Sequence, residues 1–536
     1  MHPEKTSLWP ATLDLRDPAR RGLDWLKATD TEQLARTPDL SWWHGWGYGD
    51  VTGRMVEAFV LARQILGETE ISPEEKRTRR FLDSLFDAPD GLSWRPESPY
   101  RRRAAHMFDQ SSVLFGLVTW FMESEDRKVV GRLDRLINGL HGIAEWHGDW
   151  CFYPLEVYTP KGWTEDYDEF RDGRKIVKAD PCHEGGRQIM PLVRYYELTG
   201  YDRALHLAEG LAEFVIHHSG VFKEDGGYIE HKSRVACHVH SRLGTAAGII
   251  RLGRISGRAD WLEWAKRVFD WSLSNVASSF GWVSERADSI VGGCETCCIT
   301  DMLELAINLA ENGHPGYWDI AERMIRNHLL ESQCPDTGGF SGHSMPNDFC
   351  WIRPASGQPD HSVAGCCSPA GIRALWLAWD RIVTRTDDAV SVHFPMNRIS
   401  PWAEMISELP HQGKVRVFIH DAPNLFVRIP DWVSSDAVRL AVNGKGWAVG
   451  LEDRYVKITD LAEGDEVVVT YPVRRERVTE SVMGLPFEVT WRGNTVVGIE
   501  PTGDHEPLYR RSALDTEVVP LREMEEVHAL DEKTMW

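Results

Sequence analysis

The chain has 536 residues, of which 42% are hydrophobic and 26% are charged, and its formal net charge is −21. This composition is that of a globular protein, and the length predicts two or three domains. The negative charge argues against nucleic acid or an anionic membrane surface as a partner, because both bind basic patches.

The beginning of the sequence shows no sign of a secretory signal. Residues 1–5 lead into polar and charged sequence without an apolar segment. No run approaches the roughly 18 uncharged apolar residues that span a bilayer. The ten cysteines would then lie in a reducing compartment, where cysteines serve as ligands or nucleophiles more often than as disulfides. We therefore predict a cytoplasmic protein.

A helical pattern repeats through the first 385 residues. Most of its apolar segments follow one another at intervals of roughly 56 residues, which is the length of a helical hairpin with its loops. Glycine just past a helix end is the expected C-cap. Six hairpins in series predict an (α/α)6 toroid, which we assign to residues 1–385 as the catalytic domain. The apolar segments end near Gly67, Met122, Gly200, Gly257, Gly313 and Thr384.

Tryptophan is abundant, with 23 copies, and several copies stand beside Gly, His and Asp in loop-like sequence, as in Trp42–Trp46 and Trp146–Trp150. The second run begins an insertion, residues 146–180, of a length that usually forms a lid or binding loop. Most tryptophans are expected in the core, but this combination also suits a sugar-binding cleft. Trp42, Asp109 and Gln110 are candidate contacts in such a cleft.

After about residue 385 the pattern changes to short segments that alternate apolar and polar residues or are rich in β-branched residues. Turn signals such as Asn443-Gly444 separate them. We predict an antiparallel β-sandwich over residues 386–536, ending in a polar tail. The predicted strands are Val390–Phe394, Val415–Ile419, Leu425–Ile429, Val438–Val442, Tyr455–Ile458 and Glu466–Tyr471.

Two pairs of adjacent cysteines indicate a metal site. One pair ends the run Cys294-Glu295-Thr296-Cys297-Cys298, and the other is Cys366-Cys367. Thiolates and a carboxylate that converge on one point suit a tetrahedral zinc ion. Zinc would keep a cysteine ionised near neutral pH, and an ionised cysteine is a strong nucleophile. Either Cys294 or Cys298 could take the place of a proposed ligand.

The order of these motifs resembles the zinc-dependent glycoside hydrolase family 127, whose founding activity is retaining β-L-arabinofuranosidase. The resemblance covers residues 180–480, and it implies that Glu295, Cys297, Cys366 and Cys367 bind zinc and that Cys366 is the nucleophile. The matching motifs are Glu295-Thr296-Cys297, Glu322-Arg323 with Asn327, Cys366-Cys367, Phe426–Trp432 and Val442–Lys445.

The resemblance also implies an acid/base glutamate upstream of Glu295. Glu285 is the candidate and Asp288 the alternative, because the segment that follows Glu285 is shorter and less polar here than in the family. Family members place histidines against the substrate, and His183, His238 and His240 stand before or at the start of predicted ring helices. His343 falls where the family has a tyrosine, and it is a further candidate contact.

Together these features predict a retaining exo-glycosidase that acts on a small oligosaccharide or glycoside, by default a β-L-arabinofuranoside, with zinc as cofactor. Family members often pair through the sandwich, so a homodimer is an expectation. Two alternatives remain open. One is a carbohydrate-binding protein in which the zinc site is closed and structural. The other is an (α/α)6 sugar epimerase with His183 and His238 as the proton-transfer pair.

Overall fold

The computed structural model describes residues 8–36, 48–99, 101–169, 175–231, 237–353, 356–363 and 365–523. Within these ranges no helix combines the length and the apolar character needed to cross a membrane. The α-helices are α1 (Arg16–Ala28), α2 (Thr31–Arg36), α3 (Tyr48–Leu66), α4 (Pro73–Ser84), α5 (Met107–Ser124), α6 (Arg127–Ile143), α7 (Ile189–Thr199), α8 (Asp202–Glu213), α9 (Val239–Ile255), α10 (Ala259–Asn275), α11 (Thr296–Glu311), α12 (Tyr317–Met324) and α13 (Cys367–Asp380).

Six of these helices form a closed ring, in which α3, α5, α7, α9, α11 and α13 each contact the next and α13 contacts α3. The ring helices are buried on most sides, as α11 is from Thr296 to Ala310. The outer helices α4, α6, α8, α10 and α12 each pack on the ring helix before them in the chain. An outer helix buries only one stripe, which in α6 runs from Val129 to Leu140. The predicted (α/α)6 toroid is confirmed.

The sixth pair of the toroid is closed by the start of the chain. Helix α1 packs against both α3 and α13 and takes the outer position beside α13. The predicted helix end near Thr384 is wrong, because α13 ends at Asp380 and Thr384 lies in the strand Val383–Arg385. Glycine does end a helix where the sequence predicted a C-cap. Gly200, for example, caps α7 in the left-handed conformation with φ of 69°.

Helices α3 and α5 approach each other through glycine. A Cβ atom on Gly53 would lie 2.2 Å from the backbone oxygen of Ser112, and one on Gly116 would lie 2.5 Å from the oxygen of Gly53. Gly53→Ala should therefore force the two helices apart and destabilise the protein by about 1–3 kcal/mol or more. The measurement is the midpoint of thermal unfolding, which should fall.

Gly131→Ala is the matched control for this prediction. Gly131 lies in the outer helix α6, where an added Cβ would have its nearest atom, Arg135 Nη1, at 3.7 Å. Alanine is a better helix former there by about 0.5–1 kcal/mol, so the unfolding midpoint should stay or rise. Equal midpoints for the two variants would contradict a tight backbone crossing of α3 and α5.

The predicted β-sandwich is also confirmed. One sheet has the spatial order Arg398–Ile399, Ala403–Ser407, Lys414–Ile419, Glu466–Thr470, Arg439–Val442 and Lys445–Trp447. The other has the order Leu451–Glu452, Tyr455–Ile458, Leu425–Arg428, Val390–Val392 and Val383–Arg385. Val415 and Val417 of the first sheet share a core with Leu425 and Val427 of the second. The strands are not all antiparallel, since Leu425–Val427 pairs in parallel with Val390–Val392.

The remaining strands form smaller sheets. A three-stranded sheet that the sequence did not predict consists of Arg475–Val482, Leu485–Arg492 and Thr495–Glu500. Its first strand is largely exposed and charged, so the usual apolar alternation is absent. The two-stranded pairs are Leu8–Pro10 with Leu521–Glu523, Ala105–His106 with Val157–Tyr158, Glu145–His147 with Trp150–Phe152, and Trp351–Ile352 with Pro359–Asp360.

Two of the family-like motifs join the toroid to the β-structure that follows it, one through the sandwich and one through the three-stranded sheet. Arg428, in the sandwich, is fully buried and forms ion pairs with Asp319 and Glu322 of α12. Asn327 donates from Nδ2 to the backbone oxygen of Asn494 at 3.0 Å and accepts from the amide of Val496 at 2.7 Å. These residues therefore hold the two parts together. A domain boundary at residue 385 stays a prediction.

Candidate active site and metal centre

The four predicted metal ligands lie at the beginnings of two neighbouring ring helices. Glu295 immediately precedes α11 and Cys297 is its second residue, while Cys366 precedes α13 and Cys367 is its first residue. Helices α11 and α13 are in contact, so the two helix starts meet. Because the N-terminal end of a helix carries partial positive charge, this position favours ionised thiolates and a carboxylate.

The distances among these ligands fit a single tetrahedral ion. The Sγ atom of Cys367 lies 3.6 Å from Sγ of Cys297 and 3.7 Å from Sγ of Cys366. Oε1 of Glu295 lies 3.6 Å from Sγ of Cys366 and 3.7 Å from Sγ of Cys367. Zinc–sulfur bonds of about 2.3 Å place tetrahedral ligand atoms about 3.8 Å apart. The cluster could therefore hold a metal ion, and it is compatible with zinc.

One residue of the cluster is less buried than the other three. Glu295, Cys297 and Cys367 are buried, whereas Cys366 is partly exposed. A purely structural zinc site is usually closed on all four sides by its ligands and the protein. In this cluster one of the four residues is instead partly exposed, and that residue is the predicted nucleophile.

Electrostatics also distinguish Cys366 from its neighbours. Hydrogen bonds with the thiols of Cys297 and Cys367 lower the pKa of Cys366 to about 5, although burial acts in the opposite direction. Burial raises the pKa of Cys297 and Cys367 well above that of a free thiol. Burial also acts to raise the pKa of Glu295, but its hydrogen bond with His238 and the charges of His238, His240 and His343 together outweigh this and hold it below the usual range.

The two cysteines that could have replaced a ligand lie at the edge of the cluster. Cys294 directs its Sγ to the backbone oxygen of Glu295 at 3.8 Å. Cys298 Sγ is 4.0 Å from Oε2 of Glu295, on the carboxylate oxygen that faces His238. Neither belongs to the group of atoms that converge on one point. The structure therefore favours the original four ligands.

Glu285 lies beside the cluster and Asp288 does not. The carboxylates of Glu285 and Glu295 and a ring nitrogen of His238 lie within 4.8 Å of one another. The backbone of Glu285 is held in place because its amide donates to Gly293 and its oxygen accepts from Val239, the first residue of α9. Asp288 is exposed and forms an ion pair with Arg286.

Two of the predicted histidines, like Cys366, are partly exposed. We call the region between these histidines and Cys366 the opening. His238 caps α9 and its Nε2 lies 3.1 Å from Oε2 of Glu295. His183 lies in the turn before α7, with its ring stacked on Phe108 at a centroid distance of 3.9 Å. The two imidazole rings are 5.9 Å apart, and both side chains are partly exposed. A ligand at Cys366 could reach them.

Two other histidines lie behind the opening and not in it, which corrects the prediction that they contact the sugar. His240 is 3% exposed and its ring lies between Arg54 and Asp301. His343 is 2% exposed, and its Nε2 lies 3.0 Å from Oε2 of Glu285. His343 therefore orients the candidate acid/base and does not touch a ligand.

Asp109 and Gln110 are also withdrawn as sugar contacts. Asp109 is buried and accepts two hydrogen bonds from Arg95, at 2.6 and 2.7 Å. Gln110 is fully buried and bonds to the backbone of Ser93 and His106. Both side chains serve internal packing. Trp42 lies outside the described residues.

The insertion that begins at Trp146 has its first residues on the outer side of the toroid. Trp150 belongs to a short hairpin that packs on the outer helix α8, and it stacks on His147 and His218. Trp146 stacks on His206, which is also in α8. These two tryptophans therefore pack against the outer layer of helices.

The sequence reasoning missed a set of buried charges next to the cluster. Arg54 and Asp50 lie in α3 and Asp301 lies in α11, all of them nearly inaccessible to solvent. The available signal was a charged residue inside an otherwise apolar ring helix, because such a residue is rarely buried unless it has a partner.

Comparisons with known proteins agree with the sequence-based resemblance. A family model described as β-L-arabinofuranosidase, GH127 middle domain, matches residues 400–473. No curated protein matches the chain. The resemblance to glycoside hydrolase family 127 is thereby supported by an independent sequence match within the sandwich.

Solved structures share the fold over nearly the whole chain. A GH127 β-L-arabinofuranosidase from Geobacillus stearothermophilus T6 matches with a TM-score of 0.63 and 16% identity, covering 91% of this chain and 86% of that chain. A second GH127 β-arabinofuranosidase matches with a TM-score of 0.66 and 15% identity, covering 92% and 84%. A third, described as a glycoside hydrolase, has a TM-score of 0.63 and 13% identity, covering 92% and 81%.

Proposed function

From the premise that this chain is a glycoside hydrolase related to family 127, we propose that it is a retaining exo-glycosidase with Cys366 as nucleophile and Glu285 as acid/base. One observation carries the proposal. Among four converging ligands, the partly exposed one is a thiol, and the carboxylate of Glu285 lies close to the same cluster. A nucleophile and an acid/base on one opening are what a double-displacement glycosidase requires.

Glu295, Cys297, Cys366 and Cys367 would hold a zinc ion. When bound, zinc keeps the cysteine sulfur ionised near neutral pH, as a metal does for any coordinating thiol. The protein's own contribution is to place the four ligands at two helix N-termini. His238 helps to orient Glu295, because its bond to Oε2 of that carboxylate leaves Oε1 turned toward the thiols.

The proposed reaction has two steps. The thiolate of Cys366 attacks the anomeric carbon, the bond to the leaving oxygen breaks, and Glu285 gives that oxygen its proton. Water then attacks the same carbon, gives a proton to Glu285, and the carbon–sulfur bond breaks to return the thiolate. Two inversions leave the configuration of the sugar unchanged. His343, bonded to Glu285, would keep the carboxyl directed toward the sugar.

The substrate we propose is a β-L-arabinofuranoside at the end of a small oligosaccharide or glycoside. The support is the family model and the first two structural neighbours, whose descriptions name β-arabinofuranosidases. His183 and His238 would contact the hydroxyl groups of the bound sugar. A panel of aryl furanosides and pyranosides tests the choice, and hydrolysis of pyranosides alone would refute it.

Removal of zinc should abolish hydrolysis. A strong chelator under reducing conditions is expected to lower turnover at least about 100-fold, because loss of the ion removes what holds the four ligands together and fixes the position of the Cys366 sulfur. Metal analysis of the untreated enzyme should give about one zinc per chain. Added Zn²⁺ should restore activity, whereas Mg²⁺ should not, since thiolates are poor ligands for it.

The control for metal removal is a measurement of the fold by circular dichroism, before and after chelation. Full hydrolysis by a folded, metal-free enzyme would contradict the proposed role of zinc. Conversion of a free sugar to its epimer by the metal-free protein, without hydrolysis of any glycoside, would favour the epimerase alternative, which needs no cysteine site. Sugar binding without turnover of any glycoside in the panel would favour the carbohydrate-binding alternative.

We also propose a cytoplasmic location and a homodimer. All ten cysteines are free thiols, and nine of them are buried. Free thiols in this number suit a reducing compartment. Fractionation of the native cells tests the location. Size-exclusion chromatography with light scattering tests the dimer, and a mass of a single chain would refute it.

A further inference from the structure

Arg54 lies directly behind the metal cluster. It belongs to α3, which contacts α13 in the ring, and it is 7% exposed. Its Nη1 atom lies 3.8 Å from Sγ of Cys297, within the range of a hydrogen bond to sulfur. No hydrogen bond from Arg54 to Cys366 is found among the described contacts. The guanidinium therefore donates to the buried ligand Cys297, while it acts on Cys366 through its charge alone.

The guanidinium of Arg54 is held on its other sides. Its Nε donates to Oδ1 of Asp50 at 2.7 Å, and the hydroxyl of Ser112 donates to the same oxygen at 2.5 Å. Its Nη2 lies 3.2 Å from Nε2 of His240. Each of the three nitrogens thus has a partner, so the side chain cannot swing away from Cys297 without breaking several bonds.

The contact with Arg54 also determines which nitrogen of the His240 imidazole carries the proton. An arginine can only donate, so Nε2 of His240 must accept and cannot carry a proton. The remaining proton is then on Nδ1, which donates to Oδ2 of Asp301. Arg54 therefore donates in two directions, to the metal ligand Cys297 on one side and to His240 on the other, and His240 in turn donates to Asp301.

The charge of the ligand set explains why a cation belongs there. Three thiolates and one carboxylate around a divalent ion carry a net charge of roughly −2, which is costly in a buried site unless it is compensated. Outer residues that bond to metal ligands typically contribute 10–100-fold to metal affinity. Arg54 supplies a fixed positive charge, since arginine stays protonated in proteins.

We infer that Arg54 is a positioning residue that stabilises the negatively charged metal centre by donating to Cys297, so that Cys297 acts as a ligand while Cys366 remains free to react. This inference rests on the proposed function, because it assumes the zinc site. It adds a residue that lies outside all the sequence motifs, 243 positions away from Cys297.

The test compares zinc affinity in three variants. Arg54→Met removes both the positive charge and the forked set of N–H donors. The zinc dissociation constant should then rise about 10–100-fold, as measured by chelator competition. Arg54→Lys keeps the charge without the fork and should show an intermediate rise. Arg63→Met is the matched control, because Arg63 is a buried arginine of the same helix that pairs with Glu75 and Glu123, away from the cluster.

The control separates metal binding from general stability. Arg63→Met leaves buried carboxylates unpaired, so its unfolding midpoint should fall while its zinc affinity stays that of the wild type. A wild-type zinc affinity in folded Arg54→Met would overturn the inference. If Arg54→Met does not fold, zinc affinity is compared in Arg54→Lys, and a wild-type affinity in that variant would overturn the inference. Absence of zinc binding by the wild-type protein would instead refute the proposed function.

Discussion

Replacing Cys366 by alanine should lower kcat/KM at least about 10³-fold, because removal of a nucleophile commonly costs that much or more. Cys366 is the partly exposed residue of the cluster, and the neighbouring thiols belong to the buried residues Cys297 and Cys367. Initial rates on an aryl furanoside measure the loss. Zinc content and circular dichroism, recorded on the same sample, show whether the site and the fold remain.

Two further variants make the result decisive. Cys366→Ser keeps an oxygen ligand for zinc but replaces the thiolate by a poorer nucleophile, so it should retain metal and still lose turnover. Cys298→Ala removes a buried thiol 4.0 Å from Glu295 and should leave turnover nearly unchanged. Wild-type rates in Cys366→Ala would refute the mechanism. A sugar adduct on the Cys366 peptide, seen by mass spectrometry with a slow substrate, would support it directly.

Glu285→Gln should lower turnover about 10²–10⁴-fold, which is the usual contribution of a general acid or base. The amide keeps the shape of the side chain and can still bond to His343, but it has no proton to give to the leaving oxygen. Substrates with a good leaving group, such as nitrophenyl glycosides, should lose less in the first step than alkyl glycosides. Comparison of kcat/KM for the two substrate types measures the effect.

Asp288→Asn is the control for this prediction. Asp288 is the other carboxylate that the sequence allowed, and it lies exposed in an ion pair with Arg286. Its loss should leave both substrate types unaffected, since surface ion pairs contribute little. If Asp288→Asn lost activity and Glu285→Gln did not, the roles of the two residues would have to be exchanged.

The repeated helices could be predicted from the sequence because the physics of a ring is local. Each ring helix must be apolar on most sides, and each outer helix needs only one apolar stripe, as α11 and α6 show. The strands followed for the same reason, since alternation in Lys414–Ile419 reflects one buried face. Six pairs were predicted, but the sequence did not show that α1 is the outer helix of the sixth pair, because α1 is distant in sequence from α13.

The metal ligands were predictable because few residue types can do that chemistry. Cysteine pairs beside a carboxylate in a reducing compartment have a narrow range of uses. Proximity in sequence then placed Glu295 near Cys297, and Cys366 beside Cys367. Convergence of the two segments needed the ring, which brings the starts of α11 and α13 together.

The orientation of polar side chains around that cluster depended on how the ring closes. His238 and His240 are two residues apart, yet one faces the opening and the other lies behind Cys297, because successive residues of a helix point in different directions. Arg54 meets Cys297 across 243 residues of sequence. No local pattern encodes that contact, since it arises when six separate helices pack and their buried charges must each find a partner.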